Sequence, residues 1–161
     1  MEIASDPRVD RPFIAHPEYG VPDHDKGLVA WSWVVERFSS EKNFWIATVT
    51  AQGSPMARPV WGVVVDTTIC FGGGPRTKWS RNLEHDPRVS VHLESGTEVV
   101  IAEGTVGRLT DAADPRLAAI DDAYEVKYEM RHGPPIWLLQ PSLVLAWRNF
   151  PHDMTRFRFH H

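Results

Sequence analysis

Apolar residues recur along this 161-residue chain with two different periods, and the change falls near Asn43. Before it, helical spacing of apolar side chains predicts an amphipathic helix over 27–39, with a stripe formed by Leu28, Trp31, Val35 and Phe38. Residues 1–27 carry four prolines and no clear period. They are predicted to form an extended arm, either disordered or wrapped over a neighbour.

From Asn43 onward, short apolar runs separated by turn residues predict strands. The runs are FWIATVT, MARPVWGVVV, ICFGG, RVSVHL, EVVIAEGTVGRL, IWLLQ and LVLAWRN, and TRFRF adds a further one at the end of the chain. Gly104 and Gly107 are expected to bulge or bend the longest strand. Pro141 and Ser142 are expected to form a turn between IWLLQ and LVLAWRN.

Two more helices are predicted among these strands. The first covers 75–86, PRTKWSRNLEHD. The second has Asp114 as its N-cap, Pro115 at its first position, and a stripe of Leu117, Ile120, Tyr124 and Tyr128 that ends before Gly133. The pattern therefore predicts a mainly β fold, a small antiparallel barrel of six to eight strands flanked by three helices. We expect a single domain over 28–159, and residues 160–161 have the character of a purification-tag remnant.

Composition narrows the class of partner. The net charge of −4 argues against nucleic acid, so a barrel that stacks single strands on its seven tryptophans is disfavoured. Without a signal peptide or an apolar window of about 20 residues, no membrane span is predicted. The single cysteine, Cys70, lies in the apolar run TTICF and predicts a buried thiol and a reducing, cytoplasmic location.

The stretch CFGGGPRTKWSRNL, residues 70–83, is a candidate anion site. It is neither a dinucleotide fingerprint nor a Walker loop, because Thr77 occupies the position where each motif requires glycine. Gly72–Gly74 are expected to allow close approach and positive φ, and Pro75 to start the helix whose N-terminus attracts anions. The donors would be Arg76, Thr77, Lys78, Arg81 and Asn82, the last two at i+3 and i+4 from Lys78 on one face. The alternative is a solvated basic helix.

A second candidate segment is ARPVWGVVV, residues 57–65. Pro59 removes a ladder donor, so the strand is expected to be at an edge or bulged, with main-chain groups near Val60 and Trp61 free to meet a ligand. Arg58 supplies another cation. A flat heteroaromatic ring with a phosphorylated tail suits both segments, whereas the structural alternatives are an edge-blocking proline, a core tryptophan and a surface arginine.

The order FWIATVTAQGSPMARPVWGVVVD, ICFGGGPRTKWSRNLEHDPRVSVHLESG, EVVIAEGTV resembles the pyridoxamine 5′-phosphate oxidase-like flavin-binding split barrels, closely over 28–109. Within them it is most similar to the branch that uses flavin or deazaflavin. The resemblance implies a split barrel that binds FMN or a deazaflavin. It also implies that Arg58, Pro59, Val60 and Trp61 line the ring, and that Arg76, Thr77 and Lys78 hold the phosphate with Arg81 and Asn82 nearby.

The same resemblance implies a homodimer with its cofactor sites at the interface, where Trp137, Trp147 and Arg148 would close the partner's site. It implies an oxidoreductase that moves a hydride or electron pair to or from a small organic substrate. WRNFPHDMTRFRF shows no convincing arginine motif for pyridoxamine phosphate, which argues against oxidation of that compound. The alternative is a non-catalytic protein that binds flavin, deazaflavin or haem.

No other stretch predicts a catalytic or metal site. H-E-x-x-H, C-x-x-C and Ser-His-Asp patterns are absent, and His85, His92 and His132 are scattered. The acidic residues Asp111, Asp114, Asp121, Asp122 and Glu125 are spaced as on a solvated helical face. We assign no catalytic side chain, because a flavin-type cofactor carries its own redox chemistry.

Overall fold

A computed structural model describes residues 6–14 and 17–160 of the chain. The described part contains nine strands: β1 (Arg8–Asp10), β2 (Phe44–Val49), β3 (Pro55–Val60), β4 (Gly62–Val65), β5 (Thr68–Gly72), β6 (Arg88–His92), β7 (Val99–Leu109), β8 (Ile136–Trp147) and β9 (Thr155–Arg158). Its three α-helices are α1 (Trp31–Ser40), α2 (Lys78–His85) and α3 (Arg116–Tyr128), and a short 3₁₀ turn spans Pro17–Tyr19.

All strand pairs are antiparallel, and the main sheet runs β1-β9-β8-β7-β6-β2-β3. The hairpin of β4 and β5 joins the first half of β8, whereas β9 pairs with its second half. Strand β8 thus pairs with β7 on one side and, on the other side, with β5 along its first half and β9 along its second, which is the split barrel. The predicted fold class is confirmed, with nine strands instead of six to eight.

The additional strand comes from the predicted arm. Residues Arg8–Asp10 pair with β9 of the same chain, and Asp10 accepts two hydrogen bonds of 2.8 Å from the Arg156 guanidinium. That guanidinium lowers the pKa of the Asp10 carboxyl. Arg11 donates to the carbonyl oxygens of Lys26 and His152, each at 2.8 Å. The described part of the arm is therefore attached to the C-terminal segment of its own chain.

One predicted turn is wrong. Pro141 lies inside the continuous strand β8, where the register shifts: Glu103 pairs with Leu143 and Gly104 with Pro141, so the bulge opposite Gly104 has Ser142 as its extra residue. A Cβ at Gly104 would overlap the Gln140 carbonyl oxygen, which explains the glycine and confirms the expected bulge. Gly107 pairs with Leu138 without a register shift, so no bulge is located there. No atom lies within 4 Å of the position that a Cβ would take at Gly107.

One predicted strand is instead two. The run MARPVWGVVV breaks at Trp61, where the chain leaves its pairing with β2 and begins its pairing with β5. Gly62 is required at this break, because a Cβ there would lie 2.5 Å from Cδ2 of the buried Phe44 ring. The break places Trp61 between the two parts of the barrel.

The helices cover the core with modest departures from the predicted stripes. The buried residues of α1 are Val34 and Phe38, because the helix starts at Trp31 and not at residue 27. Leu117, Ile120 and Tyr124 of α3 are buried as predicted. Cys70 is fully buried and this desolvation raises its pKa to about 12, which confirms the buried thiol. None of the helices in the described part of the chain has the length and apolar character needed to cross a bilayer.

Candidate functional site

The basic segment begins with a capped turn. Helix α2 starts at Lys78, and the Thr77 hydroxyl oxygen accepts the N–H of Ser80 at 3.3 Å. Pro75 and Arg76 therefore lie in the turn before the helix, so the expectation that Pro75 opens the helix is wrong. Thr77 is the N-cap because its short hydroxyl satisfies an N–H that has no partner within the helix.

The space beside the first two glycines before this helix is filled by other side chains of the protein. A Cβ at Gly72 would overlap the His132 imidazole, and one at Gly73 would overlap the Trp79 indole. None of Gly72–Gly74 has positive φ. The expectation of positive φ is therefore wrong for all three glycines, and that of close ligand approach is wrong for Gly72 and Gly73. Only Gly74 faces open space, apart from a Thr77 methyl group at 3.7 Å.

Three cations remain exposed around the start of α2, namely Arg76, Lys78 and Arg81. Within the described residues none of them takes part in an ion pair. Asn82 differs, because it is buried and its Nδ2 donates to the Thr48 hydroxyl at 3.0 Å. The structure thus brings the three cations together on the surface and gives Asn82 a contact in the core.

The second segment lies where the sequence placed it, at an edge. Strand β3 ends the main sheet, and Pro59 within it has no N–H to donate, which confirms the predicted edge. Arg58 and Pro59 are exposed and Val60 is buried. Arg58 pairs with Ile46, and Thr48 lies two residues further along β2, so all three point to the same face of the sheet.

This shared face joins the two segments. Helix α2 docks on it through the hydrogen bond from Asn82 to Thr48, and Arg58 extends from the same face at the edge strand. The exposed cations of α2 and the Arg58 guanidinium therefore lie on one side of the sheet. Both sets of cations therefore contribute positive potential on that side of the sheet.

Trp61 is not a core tryptophan. Its side chain is 41% exposed and stacks on the Tyr128 ring, with ring centroids 4.6 Å apart and planes 4° apart. Lys42 Nζ lies 5.8 Å from the indole centroid. These residues border an open groove of about 810 Å³ between the end of α1 and α3, which Val126 and Lys127 also line. The site therefore offers an exposed aromatic face beside the edge strand.

Sequence reasoning missed the side chains of α3 that hold this segment. Tyr128 Oη accepts the Gly62 N–H at 2.9 Å, Lys127 Nζ donates to the Gly62 carbonyl at 2.7 Å, and Tyr124 donates to the Trp61 carbonyl at 3.2 Å. Burial lowers the pKa of Lys127 to about 8 and raises the pKa of both tyrosines. The sequence pattern places Tyr124 and Tyr128 only in a core stripe. No local pattern distinguishes Lys127 from a solvated lysine.

The predicted partner-closing residues have different environments. Trp137 is 4% exposed, and its Nε1 donates to Ser80 Oγ at 3.3 Å, so it belongs to the core of its own chain. Trp147 is half-buried, and the exposed Arg148 lies over the Trp33 ring and forms an ion pair with Asp153. Of the three, Trp147 and Arg148 remain accessible to a partner.

The described residues contain no group of three or more metal-ligating side chains. Most of the acidic group is solvated as predicted, and Asp122 and Glu125 pair with Arg131. Asp121 instead accepts the N–H groups of His132 and Gly133. The polar and aromatic groups gathered at the candidate site are the exposed cations around α2, the Trp61 indole and the main chain of the edge strand.

The described residues thus form an antiparallel split barrel with a basic helix packed on the sheet that its edge strand closes. The chain belongs to the pyridoxamine 5′-phosphate oxidase family, whose model matches residues 33–148. This confirms the resemblance predicted from RPVWG and TKWSRNLEHDPRV. No curated protein matches the chain.

Solved structures share the fold. A haem-binding protein from Mycobacterium smegmatis superposes with a TM-score of 0.63 at 22% identity, over 81% of this chain and 60% of that protein's length. An F420 reductase gives 0.53 at 17% identity, over 68% of this chain and 93% of the other. A pyridoxamine 5′-phosphate oxidase-related, FMN-binding protein from Nostoc punctiforme gives 0.55 at 19% identity, over 80% and 89%. These identities establish the fold alone.

Proposed function

We propose that this chain binds a phosphorylated flavin-like cofactor, FMN or a deazaflavin, and acts as an oxidoreductase on a small organic substrate. The observation that carries the proposal is the placement of Arg76, Lys78 and Arg81, unpaired within the described structure, on the same side of the sheet as Arg58. A cluster of cations without carboxylate partners is suited to a phosphate group.

The residues present fit the phosphate end of such a cofactor. The Thr77 hydroxyl oxygen already accepts the Ser80 N–H, so its proton is free to be donated to a phosphate oxygen. Lys78 and Arg81 stand one helical turn apart and can both reach one anion. The helix N-terminus adds a partial positive charge.

The residues also fit the ring end. Strand β3 is an edge strand, so main-chain groups along Arg58–Val60 are available to the polar rim of a flat ring. Trp61 presents an exposed indole next to them. A bound flavin or deazaflavin would supply the hydride or electron-pair chemistry. The protein would orient the ring, neutralise the phosphate and limit access of water.

We also propose a homodimer, because one sheet face carries half-buried apolar side chains among polar ones. The register aligns Trp45, Ile101 and Leu145 in one row with His92 and Arg156, Leu143 lies in the next row with Glu103, and Trp147 follows beyond Leu145. We call the five half-buried apolar residues of this set the open face. The contacts of α1 and α2 fall on the opposite face, as in the packing of Trp31 on Phe157 and of Asn82 on Thr48. A second copy would bury the open face, including Trp147.

The C-terminal arginines support a substrate other than pyridoxamine phosphate. Arg156 is bonded to Asp10 through both carboxylate oxygens, and Arg158 lies 3.9 Å from the same carboxylate. These guanidinium groups hold the arm instead of standing free to receive a substrate phosphate. We therefore expect no oxidation of pyridoxamine phosphate by the purified protein.

Titration of the purified protein with FMN, deazaflavin and haem tests the cofactor. We expect FMN or deazaflavin to bind, and Lys78→Ala to weaken binding by about 10- to 100-fold, because it removes a charge-assisted contact worth roughly 1.5–3 kcal/mol. The matched control is Lys26→Ala, an exposed lysine of the arm, which should bind as wild type does.

Each alternative has its own outcome in the same experiment. A Soret band with haem and no uptake of FMN or deazaflavin would assign the chain to haem binding. Tight cofactor binding without reoxidation of the reduced cofactor by any of a panel of small organic acceptors would indicate a non-catalytic binding protein. Unchanged affinity in Lys78→Ala would place the phosphate away from α2.

The dimer has a separate test. Leu145→Glu places a charge in the open face and should shift the protein toward monomer in sedimentation equilibrium. Val126→Glu is the control, because Val126 is 88% exposed on α3 and lies outside that face. Wild-type protein that sediments as a monomer at all concentrations contradicts the homodimer.

A further inference from the structure

The main chain at Trp61–Gly62 is held by side chains from a distant helix. Gly62 N–H, Gly62 C=O and Trp61 C=O are bonded to Tyr128, Lys127 and Tyr124 respectively, all from α3. Tyr128 lies 66 residues from Gly62 in the sequence, so the contact is tertiary. At the point where the chain changes partner strand, three main-chain polar groups are thus bonded to side chains.

Two of these side chains also reach the end of α1. Lys127 Nζ donates to the Phe38 carbonyl at 2.8 Å, and its ammonium lies 4.3 Å from the centroid of the Phe44 ring. The Tyr128 hydroxyl lies 2.8 Å from the carbonyl oxygens of both Lys42 and Gly62. Adjacent residues of α3 therefore connect three parts of the fold at one point.

Tyr128 acts on Trp61 in a second way. Its ring lies parallel to the indole at 4.6 Å, so one face of the indole is covered by Tyr128. Because Trp61 is 41% exposed, few other contacts determine the plane of its ring. The same residue therefore determines both the main-chain path at Gly62 and the orientation of the neighbouring aromatic side chain.

We propose that Lys127 and Tyr128 are positioning residues for the cofactor ring. They act through Trp61 and Gly62, whose main chain and indole they hold at the end of the Arg58–Trp61 segment. This inference rests on the proposed function, in which that segment lines the ring. Preorganisation of this kind improves affinity because the segment does not have to be ordered on binding.

The variants separate the two contributions of Tyr128. Tyr128→Phe removes the hydroxyl and keeps the ring stack, whereas Tyr128→Leu removes both. Lys127→Met removes the donor, and Lys127→Arg retains one. Glu125→Gln is the control on the same helix, since Glu125 is exposed and lies outside these contacts. Tyr128→Phe and Lys127→Arg are conservative enough to keep the fold.

The first measurement is hydrogen exchange of the Gly62 amide in the cofactor-free protein. Tyr128→Phe should accelerate it by about 3- to 10-fold, the loss expected for one hydrogen bond. Glu125→Gln should leave it unchanged. Exchange that is unchanged in Tyr128→Phe overturns the contact itself, independently of any cofactor.

The second measurement is titration with FMN and deazaflavin, followed by the visible absorption spectrum of the bound cofactor. We expect Tyr128→Phe to weaken binding about 3- to 10-fold, Tyr128→Leu to weaken it further and shift the absorption band, and Lys127→Arg to rescue the loss seen in Lys127→Met. A shifted band reports a changed ring environment, which a general loss of stability would not produce.

The outcomes distinguish the two levels of the argument. If wild type binds and the variants bind with unchanged affinity and spectrum, the positioning role is overturned and the proposed function stands. If wild type binds neither FMN nor deazaflavin, the proposed function is overturned and the positioning role falls with it.

Discussion

The two halves of the candidate site are held in place in different ways. The basic half is fixed by contacts of its own short helix: the Thr77 cap, the Trp79 indole under Gly73, and the bond from Asn82 to Thr48. The strand half has an exposed tryptophan and is fixed by bonds from α3. One half is rigid because it is packed, and the other because a remote helix holds its main chain.

Because of this difference, the substitutions that lower stability should not be the ones that lower cofactor affinity. Substitutions of the buried residues of α2 should lower the stability of the fold. Substitutions of its exposed cations, or of residues in the strand half, should instead lower the affinity for the cofactor. The predictions that follow test this separation with pairs of residues that are close in sequence or alike in chemistry.

The largest expected effect distinguishes two tryptophans. Trp79 is 7% exposed and packs in the core, so Trp79→Ala should lower the free energy of unfolding by about 3–5 kcal/mol. Trp61→Ala should lower it much less and instead weaken cofactor binding. Urea denaturation and FMN or deazaflavin titration of both variants check this; equal losses of stability would contradict the contrast.

The next effect distinguishes neighbouring glycines. Gly73→Ala should destabilise by about 1–3 kcal/mol, because its Cβ would overlap the buried Trp79 indole. Gly74→Ala should change stability by less than about 0.5 kcal/mol, since the site is exposed. Thermal and urea unfolding measure the stability of both variants. If Gly73→Ala is as stable as wild type, the indole is not fixed under that glycine.

A smaller effect distinguishes Asn82 from Arg81. Asn82→Ala removes a buried hydrogen bond and should cost roughly 1 kcal/mol of stability. Arg81→Ala should leave stability unchanged and weaken binding of the phosphorylated cofactor. If Asn82→Ala reduces affinity while stability is unchanged, the amide faces the ligand and not Thr48.

The smallest effect is a pH dependence from Lys127. Burial lowers its pKa from 10.5 to about 8, so between these values the unfolded chain binds more protons than the folded one. The contribution of Lys127 to stability should therefore rise as pH increases from about 8 to 10.5, opposite to that of Cys70, whose raised pKa removes stability over the upper part of this range. Lys127→Met should lack the rising contribution, so its stability should fall relative to wild type across the range. A neutral amine still has two N–H groups, so both carbonyl contacts can persist. Urea midpoints across this range provide the measurement, and identical profiles for the two proteins would contradict it.

The sequence predicted the fold class because alternating runs and turn residues are local signals. It did not predict that MARPVWGVVV divides at Trp61 or that β8 continues through Pro141. Both depend on which strand lies alongside: the change of partner from β2 to β5 in one case, and the bulge at Ser142 of β8, opposite β7, in the other. Such pairings join residues far apart in the chain and leave no periodic trace.

The candidate site was predictable to a similar extent. The cations of α2 and the edge position of Pro59 follow from local chemistry. The occupants of the glycine positions do not, because His132 is 60 residues from Gly72 and the indole of Trp79 reaches Gly73 only once the helix has docked. Lys127 has the sequence context of a solvated lysine, and only the packing of α3 on β4 shows its carbonyl partners.

The central claim is that the two halves bind one molecule. A double-mutant cycle for cofactor affinity with Lys78→Ala and Trp61→Ala, measured with FMN and with deazaflavin, tests it most directly. We predict that each single variant weakens binding of the same cofactor and that the double variant is weaker than either. Loss of affinity in only one of the single variants would show that the ligand contacts one half alone and would contradict the account.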